Sequence, residues 1–192
     1  MLDHHQAMEI FKRAGALMEG HFLLTSGRHS NQYMQCAQVL QYPQETELLA
    51  RHLAEAFKDD QVGLVVGPAM GGIIVAYEVA RQLGVPGIFT ERQDGQMCLR
   101  RGFVIKPGQR VLVVEDVITT GGSVLETIKV VEKYQGIVKG VAVLVDRSNG
   151  QVDLGYPLYS LLSLEVQSYT PKTCPLCQKG IPLVKPGSRL EG

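Results

Sequence analysis

Tryptophan is absent from this chain of 192 residues, and only 6% of the residues are aromatic. Net charge is missing too: 19 Lys and Arg balance 19 Asp and Glu, for a formal total of zero. A neutral chain has no electrostatic footprint for nucleic acid or for an anionic membrane, so neither is an expected partner. No apolar run reaches the roughly 18–20 residues that a bilayer span requires. The first residues, MLDHHQAMEIFKRAG, lack the apolar centre of a signal peptide. Cysteine is scarce: Cys36 and Cys98 stand alone, and Cys174 and Cys177 form a single close pair. Nothing there resembles a disulfide framework, and a reducing cytoplasm is the expected setting. Repeats and low-complexity segments are missing as well.

What is present suits one domain over 1–192, with 45% hydrophobic residues to fill a core. Ala7, Ile10, Phe11, Ala14 and Leu17 have helical spacing, which predicts a helix over 6–18 with Gly20 as its stop. HFLLTSGRHSNQYMQC follows, with a Ser-Gly-Arg turn between two strand-like pieces. Residues 43–58 read as a second amphipathic helix. Short β-branched runs at 62–67, 85–90, 110–115 and 137–146 then alternate with helical segments at 71–84 and 122–134. That alternation predicts an α/β fold with a mostly parallel central sheet flanked by helices. Between the second and third of these strands lies ERQDGQMCLRRGFVIKPGQ. Its Asp94-Gly95 pair signals a hairpin, and such an insertion suits a flap over a site. Proline and glycine concentrate after residue 170, which predicts an irregular tail over about 170–192.

The chemistry concentrates in VLVVEDVITTGGSV, residues 111–124. Four apolar residues run into Glu115 and Asp116, which reads as a buried strand ending in two acids. Val117, Ile118, Thr119, Thr120, Gly121, Gly122 and Ser123 then lead into a helix. In open α/β sheets, ligands bind beyond the carboxyl ends of the strands. Glycine lets the backbone approach a bulky anion, and a helix N-terminus offers unpaired N–H groups. The segment is thus a phosphate cradle, though not a Walker loop, since no Gly-Lys-Ser/Thr is present. Two acids beside a phosphate would repel it unless they serve something else. They suit either the hydroxyls of a sugar, or a cationic centre and a hydrated metal whose charge they balance.

VLVVEDVITTGGS resembles the phosphoribosyl pyrophosphate signature of the type I phosphoribosyltransferases. FLLTSGRHSNQY (22–33), VVGPAMGGIIVAYEVARQLGVP (65–86) and AVLVDRSNG (142–150) resemble segments of the orotate phosphoribosyltransferase branch, in the same order. The resemblance implies the type I fold, a hood or flap and an N-terminal segment included. It implies transfer of ribose 5-phosphate from phosphoribosyl pyrophosphate to N1 of orotate, with Mg²⁺ as cofactor and a homodimer as the assembly. By the same resemblance Glu115 and Asp116 grip the ribose hydroxyls, 117–123 hold the 5′-phosphate, and Thr119 and Arg147 contact orotate. A purine phosphoribosyltransferase, or a non-enzymatic sensor of phosphoribosyl pyrophosphate, shares the signature.

The chain departs from well-known members at three places where they carry lysine. Met70 and Gly71 stand where a lysine follows Gly-Pro-Ala, and Thr25 replaces a lysine after the first strand. Where those members carry a mobile loop rich in lysine with a histidine, this chain has ERQDGQMCLRR, with neither residue. Arg92 is therefore expected to serve the pyrophosphate, with whichever of Arg100 and Arg101 faces the ligand on an extended strand. CPLC (174–177) has the spacing of half a metal site. Without a second cysteine pair it reads as a turn of packed thiols, or as a half completed by another subunit. The five histidines show no ligand spacing, and no metal-binding residue of the chain is predicted.

Overall fold

The computed structural model describes residues 2, 4–24, 26–165 and 167–186; Thr25 and the last residues of the tail lie outside them. Helix α1 (His4–Arg13) is followed by strands β1 (Leu17–Leu23) and β2 (His29–Met34). Helices α2 (Ala37–Leu40) and α3 (Pro43–Glu55) lead to β3 (Leu64–Pro68), α4 (Gly72–Leu83), and the hairpin of β4 (Gly87–Gln93) with β5 (Gln96–Leu99). Then come β6 (Arg110–Ile118), α5 (Gly122–Lys133), β7 (Ile137–Asp146), β8 (Leu158–Ser163), β9 (Ser168–Tyr169) and the one-turn α6 (Pro175–Gln178).

The main sheet has the order β5-β4-β3-β6-β7-β8, parallel except for the β5 edge. Its central strands are buried on both faces, as their continuous valine and leucine runs demand. The side chains still alternate. Leu112 and Val114 pack with α1, α3 and α4 on one face, whereas Val111 and Val113 pack with α5 on the other. From β3 the chain winds outward through α4 to β4; from β6 it winds the opposite way through α5 to β7. The winding reverses between β3 and β6, so that is where a crevice opens beyond the strand ends. The pairing agrees: β3 stays with β6 only as far as Val66 opposite Val113, while β6 continues beside β7 to Ile118 opposite Asp146.

A second sheet of order β1-β2-β9 forms the N-terminal segment. Arg28 ties it to β9 by donating from Nε to Ser168 Oγ at 2.8 Å.

Several sequence expectations need correction. The first helix ends at Arg13 rather than near Gly20, because Gly15 turns left-handed at φ +69° and the Ala16 N–H closes onto Phe11 O at 2.8 Å. Leu17 therefore belongs to a strand, with Gly20 inside it. Strand β6 runs three residues past Glu115, held by β7. Arg100 and Arg101 do not alternate on a strand: β5 stops at Leu99, and Arg101 and Gly102 turn with φ of +58° and +73°. Strands β8 and β9 were outside the expected set. The Asp94-Gly95 hairpin is as expected, with φ of +52° and +80°.

Candidate functional site

The crevice between β3 and β6 leads into a cavity of about 270 Å³. Its wall is Glu115 and 117–124, with Arg92 reaching in from the flap hairpin. The sequence-predicted phosphate loop and its acid thus surround one space. Gly121 takes φ +76° just before α5, a conformation that favours glycine. The turn presents the exposed Thr119, Thr120, Gly122 and Ser123 to solvent at the start of α5. The first-turn N–H groups have no acceptor within the helix and carry its positive end.

Glu115 is buried, 7% exposed, and Asp116 half-buried. Each carboxylate takes one backbone donor: the Asp116 N–H to Glu115 Oε1 at 3.1 Å, and the Val117 N–H to Asp116 Oδ1 at 2.8 Å. Burial, then the charge of Asp116, pushes Glu115 up to about 9. Burial also raises Asp116 above the usual carboxylate range. Two acids this close and this dry do not both ionise readily, so the pair holds an extra proton at neutral pH.

The glycines after β3 explain one lysine absence. A methyl group added to Gly71 would stand 2.7 Å from Asp116 Oδ1, and one on Gly72 would stand 3.0 Å from Glu115 Oε1. The backbone of this loop lies against both carboxylates, so a side chain at Gly71 would have to displace that of Asp116. Met70 points outward, 82% exposed.

Arg147 lies beside the cavity rather than on its wall. Its N–H donates to Ile118 O at 2.8 Å, which fixes it next to Thr119 at the end of β6. The side chain is half-buried, and its Nε has no hydrogen-bond partner among the described residues. Burial lowers its pKa, and the groups acting on it are Tyr33 and Cys36, with no carboxylate among them. Among the described residues no ion pair joins it to the neighbouring Asp146, whose Oδ1 accepts the Ser148 N–H at 2.7 Å. A guanidinium remains charged at any ordinary pH. Here it is partly removed from water, and no carboxylate among the described residues forms an ion pair with it.

Arg92 is held at the cavity mouth. Nη1 donates to Gly95 O at 2.9 Å, and Nη2 lies 2.7 Å from Glu126 Oε2 without hydrogen-bond alignment. Arg100 and Arg101 are turned away: both approach Glu91, Arg101 through two bonds of 3.0 Å, and Arg101 also lies over the Phe89 ring. The expectation that one of them faces the ligand is therefore corrected.

Two residues join the site that the opening signature does not mark. Cys36 Sγ lies 3.8 Å from Asp116 O, and burial, with Asp116 next, raises its thiol well above the ordinary value, so it stays neutral. Tyr33, on β2 at the end of the FLLTSGRHSNQY segment, is near enough to act electrostatically on Arg147. Nothing in the sequence singles out Cys36.

Comparison with known proteins fits this geometry. The phosphoribosyl transferase domain model matches residues 35–172. The orotate phosphoribosyltransferase of Pelotomaculum thermopropionicum is 62% identical over 188 residues, covering 98% of this chain and 99% of that one. The chain belongs to the orotate phosphoribosyltransferase family. Among solved members, the orotate phosphoribosyltransferase of Aeropyrum pernix superposes with a TM-score of 0.68 at 30% identity, over 83% of this chain and 95% of that one. The Mycobacterium tuberculosis orotate phosphoribosyltransferase, solved with inorganic phosphate, gives 0.69 at 28% identity over 84% and 96%. The family match runs from the end of β2 to the turn before α6, so the acid pair, the phosphate loop and Arg147 all fall inside it.

Proposed function

We propose that this chain joins N1 of orotate to C1′ of phosphoribosyl pyrophosphate, giving orotidine 5′-monophosphate and pyrophosphate. One observation carries the choice of base: Arg147, half-buried and in no ion pair with a carboxylate among the described residues, stands beside the phosphate loop. Orotate differs from uracil by a carboxylate, and a guanidinium fork pairs with a carboxylate through two parallel bonds. The purine alternative gives this cation nothing to neutralise.

The remaining roles follow from position. The loop 117–123 and the start of α5 bind the 5′-phosphate through N–H groups and hydroxyls. Glu115 and Asp116 accept hydrogen bonds from the ribose diol. Thr119 stands between phosphate and base. The C1′–N1 bond forms as the C1′–oxygen bond breaks; pyrophosphate leaves with the bonding pair, and the proton on N1 of orotate is released to the pyrophosphate or to water. Positive charge develops on C1′ and the ring oxygen, next to the buried acids, so negative charge there favours the transition state over the ground state. No protein nucleophile is required; catalysis is positioning and electrostatics.

The acid pair offers hard oxygen donors and holds a proton in place of a cation, which fits Mg²⁺. When bound with the pyrophosphate, Mg²⁺ supplies charge neutralisation of the leaving group. Arg92 adds a second cation at the cavity mouth, replacing the missing lysines. Its exposed contact with Glu126 is weak enough to exchange for phosphate. Arg92→Ala is expected to lower kcat about tenfold, the scale of one charge-assisted contact of roughly 1.5 kcal/mol. A steady-state assay with unchanged kcat would leave the pyrophosphate to Mg²⁺ and backbone amides.

A homodimer is the assembly we propose. Met70, Ile74 and Tyr77 are 82%, 51% and 66% exposed at i, i+4 and i+7, an apolar stripe running from the loop at Asp116 along α4. A second copy of this chain would cover it and sit next to the crevice. Sedimentation should show a dimer, and Ile74→Asp should shift it towards monomer; a monomeric parent chain would remove the proposal. Four free thiols suit a reducing cytoplasm.

The deciding assay follows orotate absorbance with phosphoribosyl pyrophosphate and Mg²⁺, with adenine and hypoxanthine as competing bases. Consumption of orotate alone is the expected result. Turnover of a purine without turnover of orotate would overturn the reading.

A further inference from the structure

The CPLC pair does not stand alone, and the histidines are not without a role. The β1–β2 hairpin carries His21 and His29 to the same point as Cys174 and Cys177 of the tail, and the four donor atoms lie within 4.8 Å of one another. The expectation of a lone turn of thiols, or of a half-site completed by another subunit, is corrected: the second pair is imidazole, from the same chain. Strand pairing sets this up. His29 lies opposite Tyr169 of β9, a few residues before the cysteines, and the Val184 N–H donates to His21 O at 2.8 Å.

We propose that His21, His29, Cys174 and Cys177 form a structural Zn²⁺ site that fastens the C-terminal tail to the β1–β2 hairpin. The first argument is geometric. Zinc at about 2.0–2.1 Å from nitrogen and about 2.3 Å from sulfur puts tetrahedral ligand atoms roughly 3.3–3.8 Å apart. Here Cys177 Sγ lies 3.3 Å from His29 Nδ1 and 3.7 Å from His21 Nε2, and Cys174 Sγ lies 3.5 Å from His21 Nε2. The two nitrogens are closer, at 2.9 Å, and the remaining pairs lie within 4.8 Å.

The second argument is the tautomer. His21 Nδ1 lies 2.7 Å from Ile181 O, and a carbonyl only accepts. The Nδ1 therefore carries the hydrogen, and the Nε2 lone pair faces the cluster. A carbonyl behind the ring is the usual support for a metal-bound histidine. The third argument is what the tail lacks. Of residues 171–186, Cys174 is the only buried one; Ile181, Leu183 and Val184 are all at least 40% exposed. A segment with so little apolar burial has almost no core to hold it, yet it returns to pair with β1. Small units of this kind are held by metals or disulfides. Cysteine with histidine in tetrahedral arrangement selects zinc over the oxygen-seeking Mg²⁺.

The test measures metal, not turnover. Protein purified without chelator should carry about one zinc per chain by elemental analysis. Cobalt(II) replacement should give the strong visible bands of a tetrahedral site and thiolate charge-transfer absorption. Cys177 is exposed, so Cys177→Ser should leave the fold intact while weakening zinc more than about 100-fold, beyond the effect of losing a mere supporting contact. Cys98→Ser should keep the metal. A zinc-selective chelator, with Mg²⁺ present throughout, should lower the melting temperature of the parent chain to that of Cys177→Ser and leave that variant unchanged. Parent protein that binds neither zinc nor cobalt, a Cys174–Cys177 disulfide in freshly purified protein, or equal zinc affinity in Cys177→Ser would each overturn the proposal. Orotate turnover can succeed or fail independently of all these readouts.

Discussion

Asp116→Asn is expected to lower kcat/KM by on the order of 10²–10³-fold, the range for removing one preorganised electrostatic group from a transition state. Melting should barely change. The expectation rests on how the pair divides its charge. Burial raises both acids, and the Asp116 charge pushes Glu115 further, up to about 9, so Glu115 is the member expected to keep the shared proton at neutral pH. Asp116 then bears the negative charge, anchored by the Val117 N–H and wedged against Gly71. Asparagine keeps the shape, and even the acceptor for Val117, but removes the charge opposite the developing cation. Glu115→Gln replaces the group expected to be neutral in the free protein and should cost distinctly less. Measuring kcat/KM and melting for both variants checks the ordering. Equal losses, or a larger loss for Glu115→Gln, would show that the charge resides elsewhere.

The sign of the pH effect on stability follows from the same group. Between the ordinary value of 4.5 and about 9, the folded chain holds a proton that the unfolded chain releases. Stability of the ligand-free protein therefore falls as pH rises across that window. It is fullest below 4.5 as far as this group is concerned, and Glu115→Gln should flatten the fall.

Why the loop was legible while the arginines were not is a matter of range. VLVVEDVITTGGSV encodes its structure within itself: a β-branched run needs burial on both faces, and Gly121 supplies the left-handed turn before α5. The alternation of strand and helix is equally local, and it was enough to give the sheet. The length of β6 was not local, because residues after Glu115 are held by β7, and pairing partners are not visible along a sequence. Arg100 and Arg101 followed a period-two rule that fails as soon as the strand ends, and a left-handed Arg101 is not a conformation that arginine announces. The histidines were harder still. His21 and His29 are separated from Cys174 by most of the chain, and only the register of β1, β2 and β9 brings the four together. Gly71 lay between these cases: the missing lysine was visible, but its reason is the Asp116 carboxylate across the crevice.

Arg147→Ala is expected to weaken orotate binding by about 10- to 150-fold, the equivalent of roughly 1.5–3 kcal/mol for a charge-assisted contact, while phosphoribosyl pyrophosphate binds nearly as before. Two features make the prediction sharp. The first is that, among the described residues, Nε has no hydrogen-bond partner and no carboxylate forms an ion pair with the guanidinium. A half-buried cation in that state loses hydration without gaining attraction, so its deletion should leave the melting temperature of the free protein unchanged or raise it. A residue kept for the fold would do the opposite. The second is the shape of the fork. Arg147→Lys preserves the charge but offers a point donor in place of two parallel ones, so orotate affinity should fall between those of the parent and the alanine variant. Calorimetry with orotate and with phosphoribosyl pyrophosphate, alongside thermal melts, separates the cases. Equal weakening of both ligands accompanied by a lower melting temperature would assign Arg147 to structure. Selective loss of orotate with stability held or gained would mean that the chain tolerates an uncompensated charge because the substrate's carboxylate is its missing partner.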